Sequence, residues 1–177
     1  ATQGLRAPGS TFKVVTAAAA LDSGRYEPGS PVDGSNGKVI SGTPLNNFGN
    51  EDFGQIDLTT ALTNSVNTVW AEVAEKLGKQ TMADYMRKFG FYEDPPMDYP
   101  DDQMVASGVN KGRKRLVRPT SDQVDIGRVA IGQGGLLATP MQMAQVASAV
   151  ANEGELMAPT LTDRIVDRDG RTVERIE

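Results

Sequence analysis

RAPGSTFKVVTAAAALDSG, residues 6–24, contains a helix whose first turn is built against its own stability. From Val14 to Leu21 the run is rich in Ala and Val, which suits a helix buried against others. Ser10, with Pro8 and Gly9 before it, stands where an N-cap belongs. Three residues after a Ser cap, Glu or Gln closes a capping box and favours the positive end of the helix dipole. Lys13 occupies that place instead, and a cation there opposes the dipole. For stability alone it is the wrong residue.

Chemistry gives the pair a reason. At i and i+3 Ser10 and Lys13 share a helix face, so the ammonium can reach the hydroxyl. The helix end and burial both favour the neutral amine, a general base that turns Ser10 into a nucleophile. Backbone N–H groups at the same helix end suit an oxyanion. The plainer reading is a Ser cap with a Lys that snorkels to water, since S-x-x-K is frequent by chance. Further on, NSVNT (residues 64–68) places Ser65 and Asn67 on a turn between two expected helices. Their hydroxyl and carboxamide can point into one space, the first relaying a proton between Lys13 and a leaving amine, the second holding a substrate carbonyl. Taken alone, S-x-N reads as a capping turn.

Composition narrows the choice. The 177 residues include no Cys and no His, which excludes disulfides, thiol nucleophiles, His-based triads and thiolate or His metal sites. Any catalysis runs on Ser, Thr, Lys, Tyr or carboxylates, and no metal or cofactor is implied. A net charge of −5 argues against nucleic acid as a partner. No stretch is long and apolar enough to span a bilayer, and no signal-peptide pattern is present. The length suits one domain with its own core.

Along the chain, residues 25–57 read as loop with a short strand at 38–40. Helices are expected over 58–64, over 69–77 with Gly78 as the stop, and over 81–89 with Thr81 and Asp84 at capping spacing. A long irregular connection spans about 91–119. Thr120 with Gln123, and Thr139-Pro140 with Gln142, read as capping boxes; the second opens a helix to about Asn152. Asp169-Gly170 marks a C-terminal β-hairpin over about 161–176. The reading is mostly helical, with strands, apart from 38–40, only near the end. IGQGG (131–135) reads as a Gly-rich break, because Leu137 stands where a dinucleotide loop needs its third Gly. NKGRKRLVR (110–118) reads as a solvated basic loop. Around Gly170 Ile165 and Ile176 fall on the ligand positions of a calcium loop, which argues against calcium.

In order, S-x-x-K and then S-x-N resemble the motif set of penicillin-binding proteins and serine β-lactamases, which K-T-G completes. GSTFK (9–13), GQIDLTTALTNSVNT (54–68), PPMDYP (95–100) and AIGQGGLLATPMQMAQVASAVAN (130–152) together resemble the transpeptidase domain of class B penicillin-binding proteins, over almost the whole chain. The resemblance implies an α+β, mostly helical, partial transpeptidase or serine β-lactamase-like fold, with most of the central antiparallel sheet missing and residues 1–177 part of one domain. It implies Ser10 as the acylated nucleophile, Lys13 as its base, and Ser65 and Asn67 as the second element. Arg6-Ala7 departs from the Tyr-Pro common before Pro-Gly-Ser. No Lys-Thr-Gly occurs in the 177 residues, so the chain is expected to be an internal piece of a longer protein and inactive by itself.

The activity implied is a peptidoglycan D,D-transpeptidase, acylated by D-Ala-D-Ala stem peptides and by β-lactams, on the outer face of a bacterial cytoplasmic membrane and held there by an N-terminal helix. Partners from the division or elongation machinery are compatible with it. Alternatives left open are a D,D-carboxypeptidase or β-lactamase-type hydrolase and, from another class, a non-catalytic scaffold that binds cell-wall or division partners.

Overall fold

The computed structural model describes residues 1–112 and 116–175. The chain enters α1 (Lys13–Asp22) through a 3-10 turn, Gly9–Phe12, and then forms β1 (Pro31–Asp33), β2 (Lys38–Ile40), β3 (Thr43–Leu45) and β4 (Gln55–Asp57). Next come α2 (Leu58–Thr63), α3 (Asn67–Leu77) and α4 (Lys79–Lys88). They are followed by β5 (Gly108–Val109), α5 (Ile126–Ala130), β6 (Leu136–Leu137), α6 (Pro140–Ala151), β7 (Arg164–Val166) and β8 (Thr172–Arg175). The architecture is α+β and mostly helical. Among the described residues the strands form four two-stranded antiparallel ladders, β1–β4, β2–β3, β5–β6 and β7–β8.

Helix α3 is the axis of the core. Trp70 is fully buried on it, and its indole N–H donates to the Ala61 carbonyl at 3.2 Å. Helix α1 buries Val15, Ala17, Ala19 and Ala20, and side chains this small let α3 and α4 come close to it. Phe12 is fully buried and meets Phe91 edge-to-face, with centroids 5.3 Å apart. That contact anchors the turn carrying Ser10 to the core.

Several sequence expectations are corrected. Ser10 does not cap α1; it lies inside the 3-10 turn, and Phe12 holds the N-cap position with no side-chain cap bond. Pro8 already has helical backbone angles, and Thr11 Oγ1 donates to its carbonyl at 2.8 Å, so the turn closes without Ser10. Thr81 is not a cap either. Gly78, with φ +85°, ends α3 and starts α4 at once. Residues 120–123 form a turn instead of a helix start, and Asp125 caps α5 by accepting from the Arg128 N–H at 3.0 Å. Thr139 does cap α6, accepting from the Gln142 N–H at 3.1 Å, but Gln142 does not close a box. Its Nε2 crosses to the Phe89 carbonyl at 2.6 Å, and the Thr139 N–H is taken by Ser107 Oγ at 3.0 Å. The Gly-rich stretch 25–57 holds the expected strand at 38–40 and three further strands of three residues, too short to show a period in sequence. In the 91–119 connection Gly108–Val109 pairs with Leu136–Leu137, and Asp101–Gln103 makes a 3-10 turn. Part of the basic stretch 110–118, residues 113–115, lies outside the described residues, as do the last residue of the expected hairpin and Glu177.

Helix α5 lies directly on α3 through Gly127. A Cβ there would stand 2.5 Å from Ile40 Cγ2 and 3.3 Å from the Ala71 carbonyl oxygen. An exposed helical Gly→Ala change stabilises by about 1 kcal/mol. Here overpacking outweighs that gain, and Gly127→Ala is expected to destabilise by about 1–3 kcal/mol. Denaturant melts check the sign; an unchanged or raised midpoint would show that α5 can shift off α3.

Candidate active site

Lys13 opens α1 and is 1% exposed. A buried ammonium needs three acceptors, and the structure supplies three. Nζ donates to the Ser65 carbonyl at 2.6 Å, to Ser65 Oγ at 2.8 Å and to Asn67 Oδ1 at 2.7 Å. Burial pushes its pKa down to about 8. At that value about a tenth of the molecules carry the neutral amine at pH 7, against about one in three thousand for an unshifted lysine. Two of the acceptors come from a strained residue. Ser65 joins α2 to α3 with φ +53°, a left-handed conformation that costs a non-glycine residue about 1 kcal/mol and lets carbonyl and hydroxyl both face Lys13. Asn67 is the first residue of α3, and its Nδ2 donates to the Asn46 carbonyl at 3.1 Å.

Ser10 is brought to the same helical run but not into this cluster. It is exposed, and its Oγ makes no hydrogen bond to Lys13 or to any other described residue. The i, i+3 spacing therefore places the two on one run without bonding them, because all three donors of the ammonium are engaged by Ser65 and Asn67. A neutral amine has two N–H groups and a lone pair, so one acceptor is released and the lone pair can take a hydroxyl proton. The arrangement suits a base that exchanges protons with hydroxyls at its side.

The sequence reading missed what fixes the backbone before Ser10. The Gly9 N–H donates to the Gly132 carbonyl at 3.1 Å. Gly132 has φ +75°, and a Cβ on it would overlap the Gly9 carbonyl. Around this contact Thr16 Oγ1 donates to the Ala130 carbonyl at 2.8 Å, and Arg6 and Ala138 exchange backbone hydrogen bonds at 2.9 and 2.8 Å. IGQGG is thus the wall on which the Ser10 turn rests. The glycines at 9 and 132 were visible; their meeting across 123 positions was not. Gly132→Ala is expected to cost about 1–3 kcal/mol and to move the amide resonances of residues 9–11 more than those of α6. Perturbation confined to 131–136 would show that the turn stands without this wall.

Residues 1–176 match the family described as penicillin binding protein transpeptidase domain. The peptidoglycan D,D-transpeptidase PbpA of Mycobacterium tuberculosis is 31% identical over 172 residues, which cover 92% of this chain and 32% of that protein. MrdA of Salmonella typhimurium, another peptidoglycan D,D-transpeptidase, is 29% identical over 97% of this chain and 28% of its own length. The crystal structure of the M. tuberculosis PbpA superposes with a TM-score of 0.84 at 27% identity, over 99% of this chain and 39% of that one. Its penicillin G acyl-enzyme complex gives 0.82 at 26% identity, over the same shares of the two chains. The chain spans about a third of the length of the curated relatives it matches. On this match and on the shared fold, the chain belongs to the penicillin-binding protein transpeptidase family.

Proposed function

We propose that these residues carry the acylation site of a peptidoglycan D,D-transpeptidase acting on the outer face of a bacterial cytoplasmic membrane. The observation that carries the reading is the buried Lys13, held by Ser65 and Asn67 three residues after an exposed serine. Ser10 Oγ attacks the carbonyl between the two D-Ala residues of a stem peptide while its proton passes to the neutral amine of Lys13. The tetrahedral intermediate collapses with cleavage of the C–N bond. The leaving D-Ala amine takes that proton back from the Lys13 ammonium through the Ser65 hydroxyl, leaving an ester on Ser10. An amine from a neighbouring strand then attacks the ester, and Ser10 recovers a proton as the new amide forms. A β-lactam enters by the same first step, its ring amide standing in for the D-Ala-D-Ala bond. Asn67 holds Lys13 through Oδ1, so a contact of its amide with substrate belongs to a later state of the cycle. Family membership supports the cell-wall substrate, the extracytoplasmic setting and any partners from the division or elongation machinery. Among the described residues no helix is long and apolar enough to cross a membrane.

In the full-length protein, a fluorescent penicillin is expected to label Ser10, as located by peptide mass spectrometry. Ser10→Ala abolishes labelling with the melting temperature retained, and Lys13→Ala slows it by roughly a hundredfold or more. An adduct on another residue, or an undiminished rate in the Lys13 variant, overturns the assignment. Adding an amine acceptor is expected to divert product from hydrolysis to amide, which separates a transpeptidase from a carboxypeptidase.

The pH profile follows from the lowered pKa. Lys13 must shed a proton to act as base, so the labelling rate rises about tenfold per pH unit below the pKa, and it levels off above about 8. A flat profile between pH 6 and 9 would show that the amine is not the base.

A further inference from the structure

Asn67 presents its carbonyl oxygen, not its NH2, to Lys13, and something must hold the amide that way round. The partner of its Nδ2 is the Asn46 carbonyl. That carbonyl belongs to the peptide unit whose N–H is that of Asn47, and this N–H donates to Asn36 Oδ1 at 2.8 Å. The peptide plane is thus pinned on one side and faces Asn67 on the other. Asn47 itself is 4% exposed and uses its whole side chain. Its Nδ2 donates to the Gly34 carbonyl at 2.9 Å and the Glu51 carbonyl at 3.0 Å. Its Oδ1 accepts from the Thr68 N–H at 3.1 Å and from Thr68 Oγ1 at 3.2 Å. Helix α3 has Val66 at its N-cap and no side-chain cap of its own. Asn47 supplies one from another loop and so fastens that loop to the turn that carries Asn67.

We infer that Asn47 is a positioning residue for acylation: by bolting the 46–47 peptide against the start of α3, it fixes the Asn67 amide with Oδ1 on Lys13. The inference rests on the reading of Lys13 as the base. A reversed amide would set an NH2 against the ammonium and remove one of its three acceptors, favouring the neutral amine while misplacing it. Burial lowers the pKa of Lys13, and its three acceptors oppose that by favouring the charged form. The loop has other anchors. Lys38 is bound to Glu72 of α3, and Arg128 donates to the Ile40, Thr43 and Pro44 carbonyls. Loss of the Asn47 side chain therefore leaves the loop attached and changes its aim.

The test is a double-mutant cycle in the full-length protein, reading the rate constant of penicillin acylation against pH. Asn47→Ala is expected to slow acylation at least tenfold in folded protein and to move the acid limb of the profile to lower pH. The Asn47→Ala, Asn67→Ala pair is expected to be no slower than Asn67→Ala alone. Asn36→Ala, at a half-buried site, releases the same peptide unit and is expected to act in the same direction, so the cycle can be closed even if Asn47→Ala does not fold. Additive losses, or a lowered melting temperature with an unmoved acid limb, overturn the inference. A wild-type protein that does not label at Ser10 overturns the reading of the site along with it, whereas a labelled wild type with additive variants overturns this inference alone.

Discussion

A lysine taken out of water needs acceptors for every N–H it keeps, and Lys13 finds all three within three consecutive residues, 65–67. Much of the molecule serves that one requirement. Ser65 accepts a left-handed backbone so that its carbonyl and hydroxyl can face the amine. Helix α3 begins at Asn67 and lacks a cap in its own sequence, because its N-cap position holds Val66, whose side chain accepts no hydrogen bond. The loop before α2 makes up the deficit through Asn46 and Asn47. Desolvation keeps the amine close to neutrality, while its acceptors keep the charged form tolerable. A group poised between the two forms can take a proton and give it back.

The second constraint is on position. A side chain held only by its own turn would be as mobile as the turn. Ser10 has the buried Phe12 two residues ahead, locked edge-to-face on Phe91, and Gly9 just behind, pressed on Gly132. Between these anchors its side chain stays open to solvent and engages none of the described residues. This follows from the 3-10 entry to α1: a capping serine would have spent its oxygen on a backbone N–H. Thr11 closes the turn instead, and the hydroxyl of Ser10 is left open to solvent.

Sequence and structure agree at several points where the deciding physics is local, though not at Ser10 and Thr81, whose capping roles pass to residues one to three positions away. The misfit of Lys13 at a helix start, the S-x-N turn, the Thr139-Pro140 helix start and the stop at Gly78 are all set by residues within a few positions of one another. Agreement fails where a partner comes from elsewhere. Thr120 with Gln123 has the form of a cap, yet the helix starts later at Asp125, where Arg128 can also reach the β2–β3 turn. Gln142 has the right spacing for a box, but the Phe89 carbonyl claims its amide. The strands between 31 and 57 are three residues each, and their pairing across the loop is invisible to any periodicity.

By itself the sequence determined the chemical vocabulary. With no Cys and no His the chain is limited to Ser, Thr, Lys, Tyr or carboxylate chemistry, and the two short motifs holding Ser10, Lys13, Ser65 and Asn67 are where its family resemblance points. Tertiary structure alone decided which of these groups touch: the amine of Lys13 goes to Ser65 and Asn67 and not to Ser10, its neighbour on the helix. It also decided that a glycine at 132 belongs to the same site as a serine at 10, and that Asn47 stands behind Asn67. Burial and hydrogen-bond choice are properties of the packed whole, and no local spacing encodes them.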